Sequence, residues 1–289
     1  MVEPILKWAG GKRQLLSEIT AQFPVEYDGY HEPFVGGGAV FFALEPDQGS
    51  INDINTRLVN FYEVVREWPE SLIEENWTHE YSDEYYYDAR DEFNDLRTVN
   101  EKTREQAVRE ASLLLYLNRT GFNGLYRENS DGEFNVPIGD YANPDWVQAK
   151  TIRAAHNVLQ GTTIHNEDFG YVRDEVGEND LVYFDPPYQP VSETADFTDY
   201  HAEGFDKEDQ KRLRDLAVEL SDVGAYVVLS NSPPVAELYK EYDDFTVNVV
   251  DATRAINSDG DNRGEVAEVL ISTVPREEQQ RKTLDDFGD

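Results

Sequence analysis

The chain has 289 residues, with 59 Asp or Glu against 25 Lys or Arg, a formal net charge of −34 at pH 7 and no cysteine. That length allows one large domain or two small ones. The missing cysteine rules out a disulfide framework and a Cys-type metal site, no apolar stretch approaches the ~20 residues that span a bilayer, and the first residues carry no secretory pattern.

In chain order, Leu6-Lys7-Trp8-Ala9-Gly10-Gly11-Lys12-Arg13 comes first. Gly11-Lys12 is reminiscent of a phosphate loop, but the glycine spacing is missing and Arg13 stands where a metal-binding hydroxyl belongs, so no triphosphate site follows. Trp8 and Lys12 beside two glycines can close over a ligand carrying an adenine or a carboxylate. The next piece runs from Tyr30 through Pro33, Phe34, Gly36, Gly37 and Gly38 to Leu44. It reads as a short strand, a three-glycine turn and an apolar helix, where backbone can approach a ligand closely; the alternative is a plain helix-entry loop. Phe41 breaks the full dinucleotide fingerprint. Ser50-Ile51-Asn52-Asp53 reads as a second short strand ending in an acid 17 residues after Gly36. Asp53 is placed to accept from ribose hydroxyls; the alternative is that it caps a helix starting near Asn55.

Residues 57–144 lack strand alternation and read as helices, as in Ala107 to Leu117 with Ala111, Leu114 and Leu115 at helical spacing. Further on, the apolar run Leu181-Val182-Tyr183-Phe184 ends at Asp185-Pro186-Pro187-Tyr188. This predicts a buried strand whose carboxyl end opens into a rigid loop, the edge of an open α/β sheet where ligands bind. A carboxylate, a fixed carbonyl and an aromatic face suit gripping a planar base by its exocyclic amine; the bland alternative is a Pro-Pro turn with a packed tyrosine. Later strands are expected at Tyr226–Ser230, Phe245–Val250 and Val266–Ile271, the last two as an antiparallel pair at the sheet edge. The expected organisation is an α/β sheet domain split between residues 1–56 and 145–275, a helical insert at 57–144, and a polar tail at 276–289.

These pieces, in this order, resemble the DNA adenine methylase family, amino-methyltransferases whose motifs run from cofactor loop through target-recognition domain to catalytic loop. Segments particular to that family are Leu117-Asn118-Arg119-Thr120-Gly121-Phe122-Asn123-Gly124-Leu125-Tyr126-Arg127, Gly132-Glu133-Phe134-Asn135-Val136-Pro137-Ile138-Gly139 and Ala195-Asp196-Phe197-Thr198-Asp199-Tyr200. The resemblance implies a Rossmann-like sheet that binds S-adenosylmethionine, with an inserted helical target-recognition domain. It places Trp8, Lys12, Phe34, Gly36, Gly38, Asp53, Asp168, Phe169 and Asp185 at the cofactor, Asp53 on its ribose. It implies transfer of a methyl group to adenine N6 in double-stranded DNA, with GATC as the site. The N6 lone pair is delocalised into the ring, so the Asp185 carboxylate and Pro186 carbonyl would hold its hydrogens while Tyr188 stacks on a base flipped out of the duplex. Pro187 stiffens that loop, and no metal is required.

In the insert, Phe122 would wedge beside the flipped base, the alternative being a core aromatic. Asn123 and Arg127 would read base edges, with Arg90, Asn118, Arg119, Pro137 and Tyr141 also near the DNA. The resemblance further suggests a monomer acting in the cytoplasm on the nucleoid, and a restriction endonuclease partner.

The charge argues against this reading, because a DNA binder should carry a Lys and Arg footprint. A salt-loving source reconciles the two, since short-range screening suppresses repulsion from phosphate; the alternatives are a substrate other than DNA, or a DNA-binding regulator that keeps the cofactor fold without turnover. In the tail, Leu284 and Phe287 stand three apart. They resemble the peptide that attaches replication proteins to the sliding clamp, though Arg281 replaces its glutamine and Gly288 its second aromatic; an acidic tail with two incidental apolar residues is the alternative.

Overall fold

The computed structural model describes residues 1–99, 101–188, 205–253 and 265–280. The elements in chain order are α1 (Leu16–Thr20), β1 (Tyr30–Glu32), α2 (Ala39–Leu44), β2 (Gly49–Asn52), α3 (Thr56–Glu67), α4 (Pro69–Asn76), α5 (Asp83–Leu96), α6 (Arg104–Thr120), α7 (Ala149–Leu159), β3 (Thr162–His165), α8 (Val172–Glu175), β4 (Leu181–Phe184), α9 (Lys207–Asp222), β5 (Tyr226–Asn231), β6 (Thr246–Thr253) and β7 (Glu265–Ser272). They form two compact units: Met1–Gly11, Gly36–Asp47 and Asp53–Asn166 in one, Lys12–Val35, Gln48–Asn52 and Glu167–Asp289 in the other.

The second unit holds six of the seven strands, in the order β2-β1-β4-β5-β7-β6. β2, β1, β4 and β5 run parallel, with Leu181 of β4 opposite both Tyr30 and Tyr226. β4 is buried along its whole length, as a strand covered on both faces must be. β7 runs antiparallel between β5 and β6, so the expected pair at the edge is present, with β6 outermost. The alternation of the strands sorts their side chains: Val182, Phe184, Val227, Leu229, Val269 and Ile271 form one core with the apolar face of α9. Asp206 starts α9 by accepting from the backbone N–H groups of Glu208 and Asp209, which satisfies donors that the helix leaves open.

The first unit is mainly helical. Asn55 caps α3 by accepting from the N–H groups of Arg57 and Leu58, and a reciprocal Thr103–Gln106 capping box opens α6, which is buried along most of its length. The α-helices of the stretch 57–144 end at Thr120, and one short 3-10 turn follows at Phe122–Gly124. From Gly121 the chain is a loop held by isolated bridges, Gly121 to Ile138 and Glu128 to Phe134, so the expectation of helices throughout 57–144 holds only as far as α6.

The expected tail also begins later than residue 276. Val25 N–H donates to the Glu278 carbonyl at 2.9 Å, Gln280 N–H to the Phe23 carbonyl at 2.9 Å and the Tyr226 hydroxyl to Glu278 at 2.7 Å. Leu284, Phe287 and the Ala195–Tyr200 motif lie outside the described residues. Among the described residues, no helix is long and apolar enough to cross a membrane, and no cluster of His, Asp or Glu is placed to hold a metal.

Candidate active site

The order β2-β1-β4-β5 contains a reversal: the chain steps outward from β1 to β2, then returns to the other side of β1 with β4 and continues to β5. Ligands of open α/β sheets bind at such a switch point, beyond the carboxyl ends of the two strands. Asp185-Pro186-Pro187-Tyr188 is the segment that leaves β4 there.

Strand alternation turns Tyr183 and Asp185 to the face opposite Val182 and Phe184. On that face the Lys12 ammonium, 6% exposed, lies 2.9 Å from the Asp185 carboxylate, 20% exposed. Burial pushes the Asp185 carboxyl up to about 6, Lys12 pulls it down, and Glu268 of β7 pushes it up again. Tyr188 is gripped at both ends of its side chain. Its hydroxyl donates to Glu268 Oε2 at 2.6 Å, and the Lys12 Nζ sits 4.6 Å from its ring centroid, a cation–π distance. The Pro187 carbonyl accepts from Gln210 Nε2 at 3.4 Å, and Gln210 Oε1 accepts in turn from Asn231 Nδ2 at 3.0 Å. The loop after β4 is thereby tied to α9 and β5.

Beside this loop Phe34, which follows β1, packs against Phe169 at 5.4 Å and Phe184 at 6.3 Å between centroids. Asp168 is exposed, accepts from Gly170 N–H at 3.0 Å and pairs with Arg212 at 2.8 Å. Glu268, Gln210 and Asn231 were not singled out by sequence reasoning. The available signals were a carboxylate inside the apolar run of β7, and a glutamine three residues before Leu213 on the apolar face of α9.

In the first unit the glycine turn is shaped by Trp8. Gly36 and Gly38 have φ of +47° and +69°, and a Cβ on Gly36 would meet the Trp8 indole at 2.9 Å, one on Gly37 the Trp8 Cβ at 2.7 Å. Side chains are excluded by conformation and by space. Trp8 also stacks on Tyr126 at 5.2 Å. Asp53 bridges the turn: Oδ2 accepts from Gly36 N–H at 3.1 Å and Oδ1 from Asn55 N–H at 2.9 Å. The cap of α3 is therefore Asn55, and Asp53 organises the glycine turn.

The residues expected near DNA also fall in this unit. Phe122 is 45% exposed, on a tight turn with Asn123 at φ 54°, so it is no core aromatic. Pro137 and Arg127 are exposed, and the Arg127 guanidinium donates to the Asn135 side chain at 2.6 Å. Tyr141 donates to the Gly121 carbonyl at 3.1 Å and lies under the Lys7 ammonium at 4.6 Å. Two expectations need correction. Asn118 is buried, with Oδ1 accepting from Lys7 N–H at 2.8 Å and Nδ2 donating to the carbonyls of Lys7 and Gly124, so its amide builds the loop instead of meeting a base. Arg119 is half-buried and donates to the Ile5 carbonyl and to Gln148, which makes it a brace of the N-terminal segment. Arg90, half-buried, lies over Tyr87 of its own helix at 4.8 Å.

A mixed α/β sheet with a proline-stiffened carboxylate loop at its switch point is the arrangement of a ligand-binding open α/β fold, consistent with a methyltransferase. The chain belongs to the D12 class N6 adenine-specific DNA methyltransferase family, whose pattern matches residues 8–256. It is 43% identical over 277 residues to the Type II methyltransferase M1.LlaDCHI of Lactococcus lactis subsp. cremoris, covering 94% of this chain and 95% of that one. It is 40% identical to the Type II methyltransferase M.MjaIII of Methanocaldococcus jannaschii, over 93% of this chain and 98% of the relative. It is 36% identical to the DNA adenine methylase of Escherichia coli strain K12, over 93% and 95%. The protein is thus an enzyme that methylates adenine N6 in DNA.

Proposed function

We propose that the methyl donor is S-adenosylmethionine, that the adenine is flipped out of duplex DNA, and that the site is GATC. The observation that carries the flipped adenine is the end of β4, where a buried carboxylate paired with Lys12 is followed at once by the Pro186 carbonyl and a doubly held tyrosine ring; GATC rests on the resemblance of the helical insert to that of the DNA adenine methylases.

The residues fit the cofactor. A glycine turn against which a Cβ would collide, with Asp53 across its backbone, suits a ribose, and the Phe34–Phe169 face beside Asp168 suits an adenine and its amine. Trp8, Lys12, Phe34, Gly36, Gly38, Asp53, Asp168, Phe169 and Asp185 would hold it. When bound, it supplies a methyl group on a sulfonium that carries its own leaving group. The protein's part is then positioning and electrostatics. Asp185 and the Pro186 carbonyl accept the two N6 hydrogens, which favours a tetrahedral nitrogen with an available lone pair. Tyr188 stacks on the base, offsetting the few kcal/mol that unstacking costs. Phe122 fills the gap left in the duplex, Asn123 and Arg127 read base edges, and Pro137, Tyr141 and Arg90 flank them.

The same reading extends to a monomer working on the nucleoid, a restriction endonuclease that cuts the unmethylated site, and a clamp contact through Leu284 and Phe287. Sequencing the methylated positions in DNA from cells expressing the protein tests it: N6-methyladenine confined to GATC supports the proposal, and any other sequence or base removes it.

A further inference from the structure

Glu268 sits in the middle of β7, 8% exposed, beside Val269 and Leu270 at 1% and 0%. Placing a carboxylate in an apolar strand is costly unless it finds partners. Its backbone pairs with Val250 of β6, and that pairing does not require the side chain. Its partners belong to the candidate active site: the Tyr188 hydroxyl at 2.6 Å and the Lys12 ammonium at 3.9 Å. Lys12 is the same group that pairs with Asp185 at 2.9 Å. Two carboxylates, one from the loop after β4 and one from β7, therefore share one ammonium, and the tyrosine is fastened to the second of them.

Resting on the reading of Asp185 and Tyr188 as the grip on the base, we infer that Glu268 is a positioning residue for methyl transfer. It anchors the Tyr188 ring and the Lys12 ammonium, so that the stacking face and the Asp185 acceptor keep a fixed separation before the base arrives. Its charge also bears on Asp185, which is faced by Lys12, by Tyr183 of β4, by Tyr188 and by Glu268.

The test uses the full chain with S-adenosylmethionine and a duplex bearing the unmethylated target site. Glu268→Ala and Tyr188→Phe should each lower kcat by roughly tenfold to a hundredfold, the scale of a small misplacement, with the duplex Kd nearly unchanged. The double variant should be no slower than the slower single one, because both remove the same contact. Glu268→Gln keeps an acceptor for Tyr188 but drops the charge, so the acid limb of its pH–rate profile should move to lower pH. Losses that multiply, a limb that stays in place, or wild-type turnover in Glu268→Ala overturn the inference. If Glu268→Ala does not fold, the two size-conserving variants, Glu268→Gln and Tyr188→Phe, still decide it. Asp185→Ala runs alongside: activity there means that the reading of the loop fails, whereas its loss beside wild-type rates in the Glu268 variants removes only the positioning role.

Discussion

The Lys12 ammonium lies 2.9 Å from the Asp185 carboxylate, and both belong to the unit that carries the central sheet. Burial raises the Asp185 carboxyl to about 6 and Lys12 opposes that rise. An acceptor for amine hydrogens must be ionised, so methyl transfer should fall as pH drops through about 6. In Lys12→Met the opposing charge is gone, and the acid limb should move to higher pH. Single-turnover rates between pH 5 and 8.5 check both; a limb in Lys12→Met at or below that of the wild type would show that the pair does not set the acceptor's charge.

Tyr188→Ala should slow turnover far more than it weakens duplex binding, because stacking acts mainly on the flipped base. Gel-shift affinity and kcat measured on the same preparation separate the two. Equal losses in both would mean that the ring serves only the fold.

Arg127 stands exposed on the loop after α6, held by Asn135. Arg127→Ala should cost about 1–3 kcal/mol at the preferred site and relax selection at a single base pair. A library of single-base variants of the site reports this directly. Uniform weakening across the library would assign the guanidinium to phosphate instead.

His79 is buried in the helical unit, between the Tyr85 hydroxyl and Ser112 at 2.8 Å each and stacked on Tyr116. Burial, with Arg109 adding to it, lowers the ring to about 4 from its ordinary 6.5. A depressed value contributes stability that is fully present above pH 6.5 and is lost as pH falls through the window down to about 4, on the order of 3 kcal/mol in all. Thermal melts from pH 7 to 4.5 should show a steeper decline for the wild type than for His79→Gln. Identical slopes would remove His79 as the cause.

The acidic composition, 59 acids against 25 bases, leads to the expectation that the protein is folded and active in molar salt and loses structure as salt is removed, when the carboxylates repel unscreened. Circular dichroism along a salt series measures it, and a stable fold in dilute buffer rejects the salt-loving reading.

Much of the fold was legible because local chemistry and tertiary position agree. Leu181–Phe184 is apolar at every position since β4 is covered on both faces, and the two prolines after Asp185 mark where it must stop. Gly36 and Gly38 announce a turn that only glycine adopts beside Trp8. What escaped the sequence depends on pairings between distant segments. Nothing near Glu268 shows that Tyr188 will reach it from 80 residues away, or that Gln210 on α9 will hold the Pro187 carbonyl. The loop after Thr120 escaped because its order comes from side chains reaching across it, such as Asn118 to Gly124 and Tyr86 to the Val136 carbonyl, which no hydrophobic period reveals. Arg119 looked like a DNA contact because it is a basic residue inside the family segment Leu117–Arg127, and its position against Ile5 makes it a brace.

The central claim is that the Asp185 loop holds adenine N6 for methylation. Transfer of labelled methyl from S-adenosylmethionine to a duplex, followed by digestion to nucleosides, tests it most directly with the wild type and Asp185→Ala compared at matched circular dichroism spectra. The wild type should place label on N6-methyldeoxyadenosine alone, and Asp185→Ala should place none. Wild-type label on cytosine, or full activity in Asp185→Ala, would contradict the account.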